Sequence, residues 1–310
     1  VNTGIDLSTT SLLTPSRLQA GDRVRFVSPA SPPDREAVLQ RARVLESWGL
    51  KVDFGARAFD RVAYLAGTDE DRLSDLNEAF RDPEIRAVFT TRGGKGSYRI
   101  ADRLDFGAVR ADPKFLVGFS DITVLHLSLW KHCGLVGIHG ALMDENGRIS
   151  EENEAALRQA LMTRDPTIIR SRPDNPTAAL TTTGRATGPL IGGNLDMIAT
   201  AAGWALPKLA GAILLIEDVG KYLGHVDRQL TMLRKAGHLD GLAGVAVGQF
   251  TGFQPSKGLT IVDLLREHLG ELRVPLLGGL PLGHGVRPVS VPLGSLASLD
   301  TPTGLLKVAM

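Results

Sequence analysis

The chain has 310 residues, 43% hydrophobic and 22% charged, with a net charge of +1. That length predicts two domains, and the near-zero charge with only three Tyr and three Trp argues against nucleic acid as a partner. Cys133 is the single cysteine, which excludes an intrachain disulfide and fits a reducing compartment. No apolar run reaches the roughly 18 residues of a membrane span. The polar stretch Val1 to Ala20 lacks the basic-then-apolar pattern of a signal peptide, so a cytoplasmic protein is expected.

Taken in chain order, the first half alternates strand and helix patterns. Arg23–Val27 reads as a strand and Arg35–Trp48 as a helix, with Val38, Ala42, Leu45 and Trp48 on one face and Gly49 as its stop. Val52–Phe54 follows as a strand, Asp69–Phe80 as a charged amphipathic helix, and Ala87–Thr90 as a strand leading into a Gly-rich loop. A short helix, the strand Phe115–Val117 and the helix Ile122–Lys131 come next, then a helix over Glu151–Met162. This alternation predicts an α/β fold with a mainly parallel sheet flanked by helices, whose ligands sit beyond the carboxyl ends of the strands.

Residues 164–188, rich in Thr, Pro, Arg and Asp, read as a linker between an N-terminal domain at 18–163 and a C-terminal domain at 189–310. The C-terminal part reads as smaller and β-rich, with strands at Ala212–Ile216, Gly244–Phe250, Val274–Leu277, Val289–Pro292 and Leu305–Met310. One amphipathic helix, Val226–Ala236, is expected among them.

Three polar residues end apolar segments. Ser120 closes Phe-Leu-Val-Gly-Phe and opens a helical pattern, Glu217 closes Ile213–Ile216, and His284 lies between Gly283 and Gly285. A serine on a strand-to-helix turn is a candidate nucleophile, and Glu and His are the residue types that would orient and activate it. Each also has a plain reading: Ser120 as a helix N-cap, Glu217 as a solvated carboxylate, His284 as an exposed turn residue. A helix N-terminus at Ser120 would offer the Asp121 N–H to a developing oxyanion. Gly118-Phe-Ser-Asp-Ile122 lacks the second glycine of G-x-S-x-G, so an ordinary α/β-hydrolase fits less well.

The loop Thr91-Arg92-Gly93-Gly94-Lys95-Gly96-Ser97 can bring backbone N–H groups close to a ligand but lacks the spacing of a nucleotide P-loop. In Ile191-Gly192-Gly193-Asn194-Leu195, Asn194 can either cap the following helix or bond a substrate. His126, His132 and His139 lack metal-ligand spacing, so no metal and no cofactor are expected.

These segments, together with Ile216-Glu217-Asp218 and Asp227-Arg228, occur in one order and resemble the LD-carboxypeptidases, a family of serine peptidases with muropeptide-cleaving and microcin C immunity branches. The resemblance runs from about Leu18 to the C-terminus. It implies a triad of Ser120, Glu217 and His284, an oxyanion hole from the Asp121 and Gly94 N–H groups, and a homodimer with the site between two domains. Arg92, Gly93 and Asn194 are the expected substrate contacts. Lys95 stands where family members commonly carry an aromatic residue. The stretch Glu217–Tyr222 lacks the longer loop of the immunity branch, which favours a muropeptide substrate. Two alternatives accompany this reading: cleavage of a peptidyl-nucleotide amide, with Trp204 stacking on a base, and an inactive peptide- or nucleotide-binding protein.

Overall fold

The computed structural model describes residues 12–143, 147–220 and 222–309. The first eleven residues of the polar N-terminal segment lie outside the described residues, as does Lys221 within Glu217–Tyr222.

The first half builds β1 (Arg23–Val27), α1 (Arg35–Ser47), β2 (Lys51–Phe54), α2 (Asp69–Arg81), β3 (Ile85–Thr90), α3 (Phe106–Ala111), β4 (Phe115–Gly118), α4 (Thr123–Cys133), β5 (Gly137–His139) and α5 (Glu151–Met162). Local chemistry sets the helix starts. Asp34 accepts from the Ala37 N–H at 2.8 Å ahead of α1, and Thr68 and Asp71 form a reciprocal capping box on α2. Strands β2, β1, β3, β4 and β5 pair in parallel in that spatial order. Strand order reverses between β1 and β3, which opens a crevice at their carboxyl ends. The loops after β3 and β4 both emerge there.

The second half contributes β6 (Thr167–Arg170), β7 (Arg185–Asn194), α6 (Leu195–Ala201), β8 (Ile213–Val219), α7 (Leu223–Lys235), β9 (Gly244–Thr251), α8 (Ile261–Gly270), β10 (Leu276–Leu277), β11 (Val291–Leu293), β12 (Leu296–Asp300) and β13 (Leu305–Val308). A second sheet runs β10-β9-β8-β7-β12-β13-β6, parallel from β10 to β7 and antiparallel beyond.

Three findings depart from the sequence pattern. Residues 164–188, expected as a linker, hold β6, a 3-10 turn at Pro176–Leu180 and the start of β7. Their polar texture is that of an edge strand: Thr167 and Ile169 point inward while Ile168 and Arg170 face out. Helix α8 was not expected, although Thr260 and Asp263 give it a capping box. Strand β11 leaves the second half and pairs antiparallel with β5 in the first sheet, Val291 opposite His139.

The halves share one apolar core. Val88, Leu116, Ile122 and Leu127 belong to the same buried cluster as Ile191, Leu195, Leu214 and Val226. A second cluster, with Phe26, Val38, Leu45 and Phe89, fills the other face of the first sheet. Cys133 is buried in the shared core. Among the described residues no helix is long and apolar enough to cross a membrane.

Candidate active site

Ser120 follows β4 and Phe119 and precedes α4. Strand β4 is buried along its length between β3 and β5, and its end is pinned. Thr90 Oγ1 donates to the Val117 carbonyl at 3.1 Å, and the His126 ring nitrogen Nε2 lies 3.0 Å from the Gly118 carbonyl. Phe119 is extended, and Ser120 then turns into the left-handed region at φ +64°. For a non-glycine residue that conformation costs about 1–3 kcal/mol, which the pinned strand and the helix behind it must hold in place. Neither the 3-10 turn Ser120–Ile122 nor α4 has a side-chain cap, so the hydroxyl is not engaged as the N-cap its sequence position allows.

The Gly-rich loop lies directly against this turn. A Cβ on Gly93 would sit 2.8 Å from Ser120 Cβ, an approach only glycine permits. The loop is fixed from several sides. Ser31 N–H donates to the Gly93 carbonyl at 3.3 Å, and Ser31 Oγ accepts from the Lys95 N–H at 3.1 Å. The fully buried Arg72 guanidinium donates to the Gly96 carbonyl at 2.9 Å and also to Pro29 O and Asp69. Asp121 completes the frame: its Oδ2 accepts from the Ser97 N–H at 2.8 Å and its carbonyl from Ser97 Oγ at 2.6 Å. Burial raises the Asp121 carboxyl pKa, against the pull of its Ser97 hydrogen bonds. Arg72 and Ser31 are anchors that the loop motif does not reveal. Arg72 is read as part of a charged helix until α2 is seen to turn it inward.

Arg92 and Lys95 are exposed on the rim of this loop and form no ion pair among the described residues. Arg41 lies beneath, its pKa lowered to about 10 by burial and then by the charge of Arg92.

Glu217 and His284 come from the second sheet and the loop after β10. Glu217 sits in the middle of β8, beside a register shift in the pairing with β9 between Ile216 and Asp218. Such an irregularity re-aims a side chain. His284 Nδ1 lies 2.7 Å from Glu217 Oε2, and the same oxygen accepts the His284 backbone N–H at 3.1 Å. A Cβ on Gly283, at φ +88°, would overlap Glu217 Oε2. The loop is tied to β9 as well, with Thr251 Oγ1 donating to the His284 carbonyl at 3.1 Å and Gln249 N–H to the Leu282 carbonyl at 2.9 Å. Glu217 has no solvent exposure and His284 only 8%. Burial pushes the Glu217 pKa up, but the attraction and hydrogen bonds of His284, with a further pull from His139, carry it below the ordinary value.

Phe119 links the two segments: it directly precedes Ser120 in the chain, and its ring lies 4.9 Å from the His284 ring between centroids. The halves are also pinned where α4 begins: the Asn194 N–H donates to Thr123 Oγ1 at 3.0 Å. Asn194, an expected substrate contact, has its side-chain amide engaged within the fold. Its Oδ1 caps α6 through the Met197 N–H at 3.3 Å, its Nδ2 donates to Asp218 at 3.0 Å, and it is 5% exposed. Trp204 packs on the shared core, and Lys131 Nζ donates to its carbonyl at 2.5 Å. Among the described residues no cluster of three His, Cys, Asp or Glu could hold a metal.

The fold is a two-sheet α/β architecture that holds a serine in a left-handed turn after β4 and a buried, hydrogen-bonded Glu–His pair in the second half. Residues 24–140 match the LD-carboxypeptidase N-terminal domain and residues 187–299 the LD-carboxypeptidase C-terminal domain. The chain belongs to the LD-carboxypeptidase family. It is 34% identical to the murein tetrapeptide carboxypeptidase of Pseudomonas aeruginosa over 90% of this chain and 93% of that protein. The crystal structure of muramoyltetrapeptide carboxypeptidase from Oxalobacter formigenes superposes with a TM-score of 0.80 at 27% identity, covering 93% of this chain and 99% of that one. The structure of MccF in complex with glutamyl sulfamoyl guanosine shares the fold, with a TM-score of 0.86 at 23% identity over 96% and 98% of the chains.

Proposed function

We propose that this protein is a serine carboxypeptidase that cleaves the bond from an L-centre to a terminal D-amino acid, releasing D-Ala from muropeptide tetrapeptides. The observation that carries the reading is the dry Glu217–His284 pair, bonded at 2.7 Å, with His284 4.9 Å from the ring of Phe119, the residue before a serine held at φ +64°. Ser120 Oγ attacks the scissile carbonyl while His284 Nε2 takes its proton. Glu217, ionised in this setting, accepts the His284 Nδ1–H and so fixes the tautomer and stabilises the imidazolium. The N–H groups of Asp121 and Gly94 receive the oxyanion, in a frame set by Arg72, Ser31 and Ser97 before substrate arrives. His284 then returns the proton to the leaving amine, and water attacks the acyl-enzyme by the same route.

A carboxypeptidase must also recognise a free carboxylate. Exposed Arg92, beside Gly93, is suited to that by its planar fork of donors. Names of relatives at comparable coverage support the muropeptide as substrate. The reading carries with it the homodimer that the family resemblance implies and the cytoplasmic location expected from the sequence, checked by light scattering and fractionation.

The test is release of free D-Ala from L-Ala-γ-D-Glu-meso-diaminopimelate-D-Ala by wild type and Ser120→Ala. Release by wild type alone is expected. Equal release by both would remove Ser120 from the mechanism. No release by wild type, with turnover of aspartyl sulfamoyl adenosine, would move the substrate to the peptidyl-nucleotide class of the MccF complexes.

A further inference from the structure

Glu217 uses one oxygen twice and the other not at all. Oε2 accepts both hydrogen bonds from His284, whereas Oε1 is buried and has no hydrogen-bond partner among the described residues. A carboxylate oxygen left bare in a dry interior is costly. The polar atom that faces it is Nε2 of His139, at 3.9 Å. His139 is itself fully buried, and both of its ring nitrogens are without hydrogen-bond partners among the described residues.

We propose that His139 is a positioning residue for the acid–base pair, a neutral imidazole that donates its Nε2–H to Glu217 Oε1 and so holds the carboxylate toward His284. This rests on the reading of Glu217 and His284 as acid and base.

The surroundings favour that arrangement. His139 ends β5, where it pairs with Gly118 of β4 on one side and Val291 of β11 on the other, so its backbone cannot swing away. The backbone of β7 closes over the other nitrogen: a Cβ on Gly193 would lie 3.0 Å from Nδ1. The Phe119 ring meets the imidazole edge-on at 6.1 Å. A movement of under about 1 Å by either side chain brings Nε2 and Oε1 to hydrogen-bond distance. The titratable groups around His139 are Glu217 from β8, His284 from the loop after β10 and His126 from α4. Burial lowers the His139 pKa to about 4, against the pull of Glu217 and with a push from His284. His139 therefore stays neutral while His284 cycles through its cation. A second cation would compete for the same carboxylate, whereas a neutral donor does not.

Two measurements test this. In nitrogen-correlated NMR of wild-type protein, the His139 ring should show the Nε2–H tautomer and no titration between pH 5 and 8. The Nδ1–H tautomer, or a titration in that range, would overturn the proposal, and this readout needs neither turnover nor a variant.

The second is a kinetic comparison of His139→Leu and His139→Gln. Leucine should lower kcat about tenfold with little change in KM, since a buried acceptor is left unpaired. It should also move the acid limb of kcat/KM to higher pH, because Glu217 freed of its donor pulls harder on the His284 proton. Glutamine, which keeps an N–H, should restore most of the rate and the limb. Equal losses in both variants with an unmoved limb would make His139 a space-filler only. Retained activity in Ser120→Ala would instead fail the catalytic reading and leave the NMR result standing.

Discussion

Ser120 and the Glu217–His284 pair are held by different means. Ser120 is set by local backbone: a buried strand end, an extended Phe119, a left-handed turn and a helix, all within residues 115–133. Glu217 and His284 are 67 positions apart, and their bond depends on the β8–β9 register shift, a glycine with no Cβ and a loop stitched to β9. The strain at the proposed nucleophile is stored in one turn, while the geometry of the proposed acid–base pair is spread over the second sheet. Damage at the turn should therefore cost rate and leave the fold, whereas damage around the pair should cost both.

The largest effects fall on the chemistry itself. Ser120→Ala is expected to lower D-Ala release by about a thousandfold or more. Its melting temperature should match wild type, because the hydroxyl makes no capping bond. Glu217→Gln should lower kcat by about a thousand- to ten-thousandfold by favouring the wrong His284 tautomer. A matched pair of glycine substitutions sharpens the contrast. Gly283→Ala places a Cβ into the Glu217 carboxylate at a positive φ and should lower stability by about 2–4 kcal/mol along with most activity. Gly93→Ala meets Ser120 instead and should lower kcat by about tenfold to a hundredfold with a smaller fall in melting temperature. Steady-state kinetics and thermal melts on both variants decide it, and the reverse ranking of melting temperatures would break the comparison. Arg92→Ala is expected to raise KM about tenfold with kcat within about twofold, because its charge meets substrate in the ground state as well.

The smallest effect concerns stability against pH. Burial lowers the pKa values of His126 and His139 to about 4 from 6.5. Their folded pKa values are depressed, so their contribution is complete above 6.5 and is lost as pH falls from there toward about 4. Glu217 is depressed too, and its contribution is lost only in the more acid range below the ordinary carboxylate value. Unfolding near pH 5 should accordingly take up about two protons, seen as a melting temperature that falls between pH 7 and 5. A flat profile over that interval would place charged histidines in the folded state.

The first sheet was legible because its signals are local. Periodicity marked α1, α2, α4 and α5, and the apolar run ending at Gly118 marked the strand before Ser120. The second half was harder. Its edge strand β6 is only four residues long, two isoleucines between a threonine and an arginine, and lies in a stretch whose composition looks like a linker. Helix α8 carries a capping box at Thr260 and Asp263 that reads plainly once sought. Strand β11 gave no sign that it would cross to the first sheet, since no pattern in Val291–Leu293 names its partner. The same divide runs through the site. Glycines at 93 and 283 were visible as flexible points, but only the fold shows that each avoids overlap with one particular side chain. Asn194 reads first as a helix cap and second as a ligand, and the fold shows Met197 and Asp218 using its amide.

By itself, then, the sequence determined which segments would be strands and helices around Ser120, which residue types could act, and the order in which they occur. Those properties follow from side-chain period, turn chemistry and helix-start signals, all written within a few residues. The tertiary structure alone decided that Glu217 and His284 come within hydrogen-bond distance, that Arg72 and Ser31 brace the glycine loop, and that His139 faces the carboxylate's second oxygen. Such contacts join segments far apart in the chain, and burial decides their strength: in a dry interior each polar atom must find its partner across the fold, wherever the chain has brought one.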